Sequence, residues 1–454
     1  MTQKDALKIL KIGANVFLTG APGSGKTHTI NQFVKYLRNN NINVAITAST
    51  GIAATHIGGM TIHSWSGIGI KKRLTDYDID TIASSKHILN RINKTKVLII
   101  DEVSMLRPST LLMVDAVCRE VKRNSESFGG LQVVFVGDFF QLPPIVRDEV
   151  ENQPSLLTQK EGKFAYESDL WNNLKMIACY LTEQHRQDDK DFLSLLSAIR
   201  ANKLEDKHFS SIQKRKEAVS DVKRDITKLF PHNADVDSVN SAELEILPGD
   251  KETFNMRSTG KENVVASLKK GCLSPETLEL KIGATVMFTK NNQQKGFVNG
   301  TTGVVVNFDA DNMYPIVKTK NGRIIETEPM DWMIEDGGRI LAKITQIPLR
   351  LAWAITVHKS QGISLDSAVM NLANVFEYGQ GYVALSRVRR LSGLFLLGIN
   401  DKALMVHPEV LAKDKEFRTA SINAEDEFEK MSLAEIEKMH DNFVRISGEK
   451  GGSF

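Results

Sequence analysis

The amino-acid sequence predicts an α/β fold in which parallel β-sheets carry helices on both faces. A glycine-rich loop stands between a strand-like segment and a helix-like segment, further strand-like and helical segments alternate after it, and a second alternation begins after Arg186. Parallel strands need crossover connections, so this order of elements is typical of a sheet covered by helices. At 454 residues the chain also exceeds the usual size of a single hydrophobic core, so we expect at least two domains.

The first half of the chain is predicted to supply one such sheet. Strands are expected at residues 15–19, 43–48, 97–100, 131–136 and 177–181. After the glycine-rich loop, apolar residues at positions 30, 33, 34 and 37 recur at helical spacing and predict a helix over residues 26–38. The amino end of that helix would face the loop, where unpaired N–H groups and the helix dipole favour an anion.

The second half is predicted to form another α/β domain with a β-rich insert. A helix is expected around residues 192–199, and a charged stretch over residues 205–224 leads to a strand at 225–230. Turn residues such as Asn321-Gly322 separate short strands, which predicts a small β-barrel insert. These strands are expected at residues 284–289, 303–308, 314–318 and 323–328. Residues 414–454 are charged and helix-prone, so we expect a partly frayed tail.

Composition excludes some classes of protein and leaves others open. Hydrophobic residues make up 41% and charged residues 25%, as in ordinary globular proteins. No apolar run reaches the roughly 20 residues of a membrane helix, and the first residues lack the apolar core of a signal peptide. A net charge of +3 neither identifies nor excludes a nucleic-acid partner. Cys118, Cys179 and Cys272 lie far apart without a CxxC pair, so we interpret them as small buried hydrophobic residues in a reducing compartment.

Residues 20–27, GAPGSGKT, match the phosphate-binding pattern G-x-x-x-x-G-K-[ST] at every fixed position. The alternative, a tight surface turn, is disfavoured by the flanking strand and amphipathic helix. Lys26 is predicted to neutralise the β- and γ-phosphate oxygens of a nucleoside triphosphate, and the Thr27 hydroxyl to bind Mg²⁺. The other predicted nucleotide-binding residues are Gly20, Pro22, Gly23, Ser24, Gly25 and His28.

Polar residues also follow two later strands of the predicted sheet. Asp101 is predicted to hold Mg²⁺ directly or through water, and Glu102 to orient and deprotonate the attacking water. Gln141 lies in GDFFQLPP, residues 137–144, where two prolines restrict the backbone. We predict that its amide contacts the γ-phosphate and reports its loss. The alternative for Asp101 and Glu102 is that two acids simply cap the solvent end of a strand. The alternative for residues 137–144 is a loop without a function.

Eight segments in chain order resemble the motifs of superfamily-one helicases. They are residues 20–27, 47–54 (TASTGIAA), 101–105 (DEVSM), 137–144, 181–186 (LTEQHR), 230–233 (FPHN), 353–362 (WAITVHKSQG) and 381–387 (GYVALSR). Residues 105–130, which end in SFGG, are similar to the signature of the petite-integration-frequency (PIF) helicases. That family comprises DNA helicases of 5′-to-3′ polarity related to RecD-type enzymes. The resemblance extends over residues 3–398.

The resemblance implies two tandem RecA-like P-loop domains. They would span residues 1–186, with a wedge-bearing insert at about 55–75, and residues 187–400, with an SH3-like insert at about 279–345. A charged helical tail would follow over residues 401–454. ATP with Mg²⁺ would bind in the cleft between the two domains. The resemblance assigns adenine recognition to Gln3, a further nucleotide contact to Gly362, and the role of arginine fingers on the γ-phosphate to Arg186 and Arg387.

The resemblance also implies that single-stranded DNA crosses both domains. The implied DNA contacts are Thr50, His63, Trp65, Phe139, Pro143, His232, Asn233, His358, Lys359, Ser360 and Tyr382. The three aromatic residues among these contacts are candidate platforms on which DNA bases stack. The alternative for each is ordinary packing in the hydrophobic core. Lys290, Lys295 and Asn299, on turns of the insert, are candidates for contact with the displaced strand. The histidines of residues 55–70 have no further metal-ligating residues beside them at the spacing of a metal site, so we do not expect zinc.

The implied activity is an ATP-driven 5′-to-3′ DNA helicase that works as a monomer on 5′-tailed strands and duplex forks. G-quadruplexes and RNA–DNA hybrids are further candidate substrates, and replication, repair, recombination and telomere-type maintenance are candidate roles. A translocase that strips proteins from DNA would use the same motifs. A nucleotide-responsive DNA clamp predicts degeneration of Lys26, Asp101 or Glu102, and a kinase has no use for two arginine fingers. Because the chain starts almost at Gln3, we expect a cytoplasmic protein of bacterial or phage-like origin.

Overall fold

The computed structural model describes residues 1–69, 71–144, 162–185, 189–218, 226–230, 233–292, 294–336, 339–357, 360 and 362–448. The chain divides into two compact units. The first unit comprises Met1–Phe139, Pro143–His185 and Ala412–Phe454, and the second comprises Phe140–Leu142 and Arg186–Leu411. Each unit contains a parallel sheet, which confirms the predicted α/β class.

The first unit is built on a six-stranded parallel sheet. Its strands are β1 (Val16–Gly20), β2 (Val44–Ala48), β3 (Met60–Thr61), β4 (Val97–Asp101), β5 (Gln132–Val136) and β6 (Ile177–Leu181). Their order in space is β3-β2-β4-β5-β1-β6, and all neighbouring pairs run parallel. Every residue of β1 and β5 is buried, as expected for strands covered on both faces. The carboxyl ends of β1, β2 and β4 therefore share one edge of the sheet.

Helices of the first unit follow these strands in the chain. They are α1 (Gln3–Leu10), α2 (Lys26–Asn39), α3 (Gly51–His56), α4 (Ile62–Ser66), α5 (Asp76–Ser84), α6 (Lys86–Lys94), α7 (Pro108–Lys122) and α8 (Asp169–Asn173). The apolar face predicted for α2 is buried, with Ile30, Phe33 and Leu37 in one core with residues of β1, β4 and β5. This packing fixes the start of α2 directly after the glycine-rich loop.

The second unit contains a parallel sheet and a large antiparallel insertion. Its helices are α9 (Lys190–Arg200), α10 (Asp206–Glu217), α11 (Asn233–Ile246), α12 (Glu262–Gly271) and α13 (Gln380–Leu385). Its strands are β7 (Lys228–Phe230), β8 (Glu252–Asn255), β9 (Arg257–Gly260), β10 (Thr277–Leu280), β11 (Thr285–Phe288), β12 (Thr302–Phe308), β13 (Pro315–Thr319), β14 (Ile324–Glu326), β15 (Met330–Asp336), β16 (Arg339–Gln346), β17 (Leu349–Leu351), β18 (Ala354–Thr356), β19 (Ala368–Leu372) and β20 (Leu394–Ile399). The parallel sheet has the order β18-β7-β19-β20.

The insertion lies between β7 and β18 and is larger than the predicted span of 279–345. It holds a five-stranded antiparallel sheet (β14-β13-β12-β11-β17), a three-stranded sheet (β15-β16-β9) and the pair β10-β8. The five-stranded sheet and its surroundings enclose an apolar core, in which the rings of Phe288 and Phe297 stack 4.1 Å apart. Residues of β9 are all exposed. The sequence therefore offered no alternation of apolar residues from which to predict this strand.

The C-terminal segment is not the separate, partly frayed tail that the sequence predicts. It forms α14 (Pro408–Glu429) and α15 (Leu433–Ser447), and residues from Ala412 onward belong to the first unit. Ala424 and Phe443 are buried in the same core as β1 and α2. A few apolar residues at helical spacing are sufficient for this packing, although charged residues dominate the composition of the segment.

Among the described residues, no helix has the length and apolarity needed to cross a membrane.

Candidate functional site

The glycine-rich loop makes a tight turn between β1 and α2. Gly20, Gly23 and Gly25 all have positive φ angles, of 147°, 86° and 89°. A Cβ atom on Gly20 would lie only 2.7 Å from the carbonyl oxygen of Leu181. This conformation therefore requires glycine, and α2 begins immediately after it with its unpaired N–H groups at the loop.

Lys26 lies at the first position of α2. Its Nζ donates hydrogen bonds to the carbonyl oxygens of Gly20 at 2.8 Å and Ala21 at 3.2 Å. Thr27 and His28 are exposed at the same helix end, and the His28 ring lies 2.7 Å from the Gln32 amide. A cation and a hydroxyl are thus placed at the helix end that favours an anion.

Gln3 lies directly on this loop. Its Nε2 donates to the carbonyl oxygen of Ser24 at 3.2 Å, and a Cβ atom on Gly25 would overlap the same amide. The first turn of α1 therefore brings Gln3 to the phosphate loop from more than 20 residues away in the chain. This proximity supports the adenine-recognition role implied by the resemblance, which stays a prediction.

The two acids lie at the carboxyl end of β4. The Asp101 carboxylate accepts a hydrogen bond from the backbone N–H of Glu102 at 2.8 Å. Glu102 has a left-handed backbone with φ 52° and ψ 44°, a strained conformation for a residue with a side chain. Burial raises the pKa of Asp101, while the Glu102 N–H and the positive charge of Lys26 oppose that rise. Lys26 is thus close enough to Asp101 for its charge to favour the carboxylate.

Three buried hydroxyl groups surround this edge of the sheet. Ser24, Ser49 and Ser104 follow β1, β2 and β4, and among the described residues their Oγ atoms have no hydrogen-bond partner. Unpaired buried hydroxyls are costly unless a ligand satisfies them. With the phosphate loop and the oxygen ligands of Thr27 and Asp101, the edge fits a magnesium nucleotide. No group of three or more His, Cys, Asp or Glu residues within the described ranges can hold a metal by itself.

The remaining nucleotide candidates belong to the second unit. Gln141 is a buried residue of the segment Phe140–Leu142, which is assigned to the second unit. Gly362 has a positive φ of 73°. Arg387 is buried, with Nε donating to the Val383 carbonyl oxygen at 2.8 Å and Nη2 to the Ser386 hydroxyl at 2.7 Å. Arg186 lies outside the described residues. The roles implied for these four residues stay predictions.

The three aromatic stacking platforms are contradicted by the structure. Trp65, Phe139 and Tyr382 are each 5% exposed or less. The Phe139 ring packs against the rings of Tyr166, with centroids 4.8 Å apart, and Phe17, with centroids 5.6 Å apart. A ring whose faces are covered by protein has no face for a base. The alternative, core packing, describes these residues in this conformation, because burial of a large ring depends on tertiary contacts that spacing does not reveal.

The polar DNA candidates have different environments. Thr50 and His63 are half-buried, and burial lowers the pKa of His63. Pro143 and Ser360 are buried, and the Ser360 hydroxyl donates to the Val357 carbonyl oxygen at 2.7 Å. That hydroxyl therefore donates within its own turn, and the role of Ser360 as a DNA contact stays a prediction. His232, His358 and Lys359 lie outside the described residues, as does the side chain of Asn233.

The insert residues proposed for the displaced strand make contacts within the insert. Lys290 donates to the carbonyl oxygen of Asp331, and Lys295 forms an ion pair with Glu328 at 2.9 Å. The backbone N–H of Asn299 donates to the Asn291 side chain at 2.7 Å. Lys295 is exposed, so its ion pair is one that solvent screens and DNA can compete for.

The segment after β6 contributes to the site in a way that the sequence did not reveal. The Glu183 carboxylate accepts from the Gln3 backbone N–H at 2.7 Å, and the His185 N–H donates to the Gly23 carbonyl oxygen at 3.0 Å. The only sequence signal was the position of both residues inside the LTEQHR motif. No spacing rule connects Glu183 with a residue 180 positions earlier.

Two family models match the chain. The model described as PIF1-like helicase matches residues 3–209, and the model for the 2B domain of DNA helicase Pif1 matches residues 264–308. The chain is 40% identical to the ATP-dependent DNA helicase Pif1 of Psychrobacter sp. (strain PRwf-1), over 99% of this chain and 75% of that protein. It is 36% identical to the ATP-dependent DNA helicase PIF1 of Xenopus laevis, over 90% of this chain and 63% of that protein. The chain thus spans less than two thirds of the Xenopus relative.

Solved structures of Pif1 helicases are also similar to this chain. Bacteroides sp Pif1 in complex with ADP-AlF4 has a TM-score of 0.79 and 30% identity, over 92% of this chain and 96% of that chain. Bacteroides Pif1 in complex with ADP-AlF3 and ssDNA has a TM-score of 0.63 and 29% identity, over 91% and 96%. A structure on unwinding at forked dsDNA by two coordinating Pif1 helicases has a TM-score of 0.63 and 30% identity, over 91% and 95%.

Proposed function

The chain belongs to the PIF1-like helicase family of ATP-dependent DNA helicases, and we propose that it unwinds duplex DNA by moving 5′ to 3′ along one strand. The observation that carries this proposal is the edge of the first sheet, where Lys26, Asp101 and Glu102 lie together with partnerless buried hydroxyls. A clamp that only binds nucleotide has no need of both strand-end acids. The intact set therefore favours hydrolysis.

Each residue at this edge has a chemical task in the proposal. Lys26 and the loop amides hold the phosphate oxygens of ATP, and Thr27 and Asp101 would hold Mg²⁺. Bound Mg²⁺ would neutralise charge on the phosphates. Glu102 orients and deprotonates the attacking water. Its strained left-handed backbone sets the direction in which its side chain leaves the main chain. Gln141 responds to the γ-phosphate, and Arg186 and Arg387 stabilise transition-state charge.

The partners follow from the family. We propose single-stranded DNA with a 5′ tail and duplex forks as substrates, supported by the Pif1 structures with ssDNA and with forked dsDNA. Polar groups at strand ends would bind the DNA backbone without reading sequence. Because the Psychrobacter relative is bacterial, we propose the bacterial cytoplasm as the location of this protein.

The assignment of the ATP site is tested with Lys26→Ala. We expect DNA-stimulated ATP hydrolysis to fall at least about 100-fold, since the variant loses a charge aimed at the transferring phosphoryl group. Binding of a single-stranded oligonucleotide, measured by fluorescence anisotropy, should change less than about threefold because the loop does not contact DNA in this proposal. Lys35→Ala, an exposed lysine on the same helix, is the matched control and should hydrolyse ATP normally. Normal unwinding by Lys26→Ala would refute the site.

The polarity of movement is tested on the unmodified protein. Duplexes with a 5′ tail and with a 3′ tail are compared side by side, with ATP and with a non-hydrolysable analogue. We expect strand separation only with the 5′ tail and only with ATP. A requirement for a 3′ tail would contradict the proposal directly. ATP-dependent movement along the strand without strand separation would favour the protein-stripping translocase instead.

A further inference from the structure

Gln3 is held in place by more than its own helix. It is the first residue of α1, so its backbone N–H has no partner within the helix. The Glu183 carboxylate, just after β6, accepts that N–H at 2.7 Å. An anion at a helix amino end also interacts favourably with the helix dipole. One side chain therefore supplies both a hydrogen bond and a charge to the first turn of α1.

The same short segment also holds the phosphate loop. The Thr182 N–H donates to the Met1 carbonyl oxygen at 3.3 Å, and the His185 N–H donates to the Gly23 carbonyl oxygen at 3.0 Å. The Leu181 carbonyl oxygen lies 2.7 Å from the position that a Cβ of Gly20 would take. Residues 181–185 thus contact both the start of α1 and the loop, and Glu183 is the side chain that binds the Gln3 N–H.

The α1 helix has only eight residues, and a helix of that length is marginal without tertiary contacts. Its first turn also points the Gln3 amide at the Ser24 carbonyl oxygen. If the first turn loosens, the Gln3 amide loses its defined position at the loop. Thr2 caps the same turn by accepting the Asp5 N–H, and Glu183 is the side chain that accepts the N–H of Gln3 itself.

We propose that Glu183 is a positioning residue for recognition of the adenine base, acting through Gln3. This inference rests on the proposed role of Gln3 in the nucleotide site. Glu183 does not contact the nucleotide; it fixes the helix turn that aims the Gln3 side chain. Its loss should therefore weaken preference for ATP over a nucleotide with another base, while leaving the phosphate chemistry intact.

The test measures DNA-stimulated hydrolysis of ATP and of UTP, compared as the ratio of their kcat/KM values. Glu183→Ala is expected to lower this ratio about tenfold, through a higher KM for ATP, while kcat at saturating ATP stays within about twofold. Glu183→Gln should restore much of the preference, because its amide oxygen can still accept the Gln3 N–H. Glu167→Ala is the matched control, since Glu167 accepts the Phe164 N–H at 2.8 Å in the same unit. That variant should keep the wild-type ratio.

The double variant Gln3→Ala/Glu183→Ala separates the possible failures. If Glu183 acts through Gln3, the double variant has the same ratio as Gln3→Ala alone. If Gln3→Ala itself leaves the ratio unchanged, the proposed role of Gln3 is wrong and the inference falls with it. If Gln3→Ala lowers the ratio but Glu183→Ala does not, or the two effects multiply, only the Glu183 inference is refuted. Should Glu183→Ala fail to fold, Glu183→Met takes its place, because methionine has a similar size but no oxygen that can accept the Gln3 N–H. A wild-type ratio in Glu183→Met would refute the inference equally.

Discussion

Phe417 on α14 is the side chain whose removal best measures how firmly the C-terminal helices hold the first unit. Its half-buried ring lies 4.8 Å from the ring of Phe17, 6.0 Å from Tyr166 and 6.1 Å from Phe139, measured between centroids. Truncating a fully buried Phe to Ala costs about 3–5 kcal/mol, so half burial suggests ~2 kcal/mol. Lost aromatic pairs add roughly 0.5–1.5 kcal/mol. We expect Phe417→Ala to lower the free energy of unfolding of the first unit by about 2–3 kcal/mol.

Such a loss is measurable as a melting temperature. For a unit of this size, 1 kcal/mol shifts Tm by roughly 2–4 °C, so Phe417→Ala should melt about 5–10 °C lower. Intrinsic tryptophan fluorescence reports on the region directly, because the Trp171 ring lies 6.3 Å from Phe417. Ile422→Ala on the same helix is the control, since Ile422 is 58% exposed and should leave Tm nearly unchanged. A Tm within about 2 °C of wild type for Phe417→Ala, or an equal fall for Ile422→Ala, would show that the reasoning about this packing is wrong.

Two further predictions follow from buried titratable groups. Burial lowers the pKa of His63 below its ordinary value of 6.5, so the unfolded chain binds more protons just below pH 6.5 and stability falls as the pH drops through that range. His63→Gln should reduce this fall, measured as urea midpoints at pH 7.5 and 5.5, and an unchanged pH dependence would contradict the assignment. Burial also raises the pKa of the Cys118 and Cys179 thiols, and that of Cys272 to about 11. We expect iodoacetamide at pH 8 to label all three only after unfolding, and rapid labelling of the native protein, detected by mass spectrometry, would refute their burial.

The elements around the phosphate loop are the part of the fold that local sequence predicts well. The strand predicted at residues 15–19 is Val16–Gly20, and the helix predicted at 26–38 is Lys26–Asn39. The strand is wholly buried, the helix is amphipathic, and a glycine-rich loop marks the boundary between them. Their periodicity records the burial that forms them, so pattern and structure agree to within a residue.

The C-terminal helices show why other parts of the fold could not be predicted. Residues 414–454 contain many charges, and their composition alone suggests a solvated tail. Yet Tyr180 in β6 donates to the buried Asp414 at 2.9 Å, and Arg418 donates to the Tyr180 hydroxyl at 2.6 Å. Charged residues of the helix thus bind partners more than 230 positions away. A contact of that sequence separation leaves no periodic signal in the segment itself.

In the candidate site, too, the sequence predicts features that have a local pattern but not those that depend on distant contacts. Lys26 was predicted from the phosphate-binding pattern, and Asp101 and Glu102 because they close or follow a strand. Parallel strands then bring these positions to one edge of the sheet. The burial of Trp65, Phe139 and Tyr382, predicted as stacking platforms, was not foreseen, because an aromatic residue in a loop motif looks the same in sequence whether its ring faces solvent or the core. Phe139 follows a polar Gly137-Asp138 pair, yet its ring is enclosed by other aromatic rings.

The support of the phosphate loop comes from three segments that are distant in the chain. The loop contacts α1 through Gln3, the segment after β6 through Gly23, and its strand β1 packs Phe17 against α14. The loop must hold the backbone amides that bind phosphate in one arrangement. Its glycines have no side chains that could fix that arrangement. Rigidity must therefore come from neighbours, and here they are supplied from both ends of the chain. Because the glycine-rich pattern is local while its support is not, a matching motif identifies where a nucleotide binds but not how firmly the loop is set.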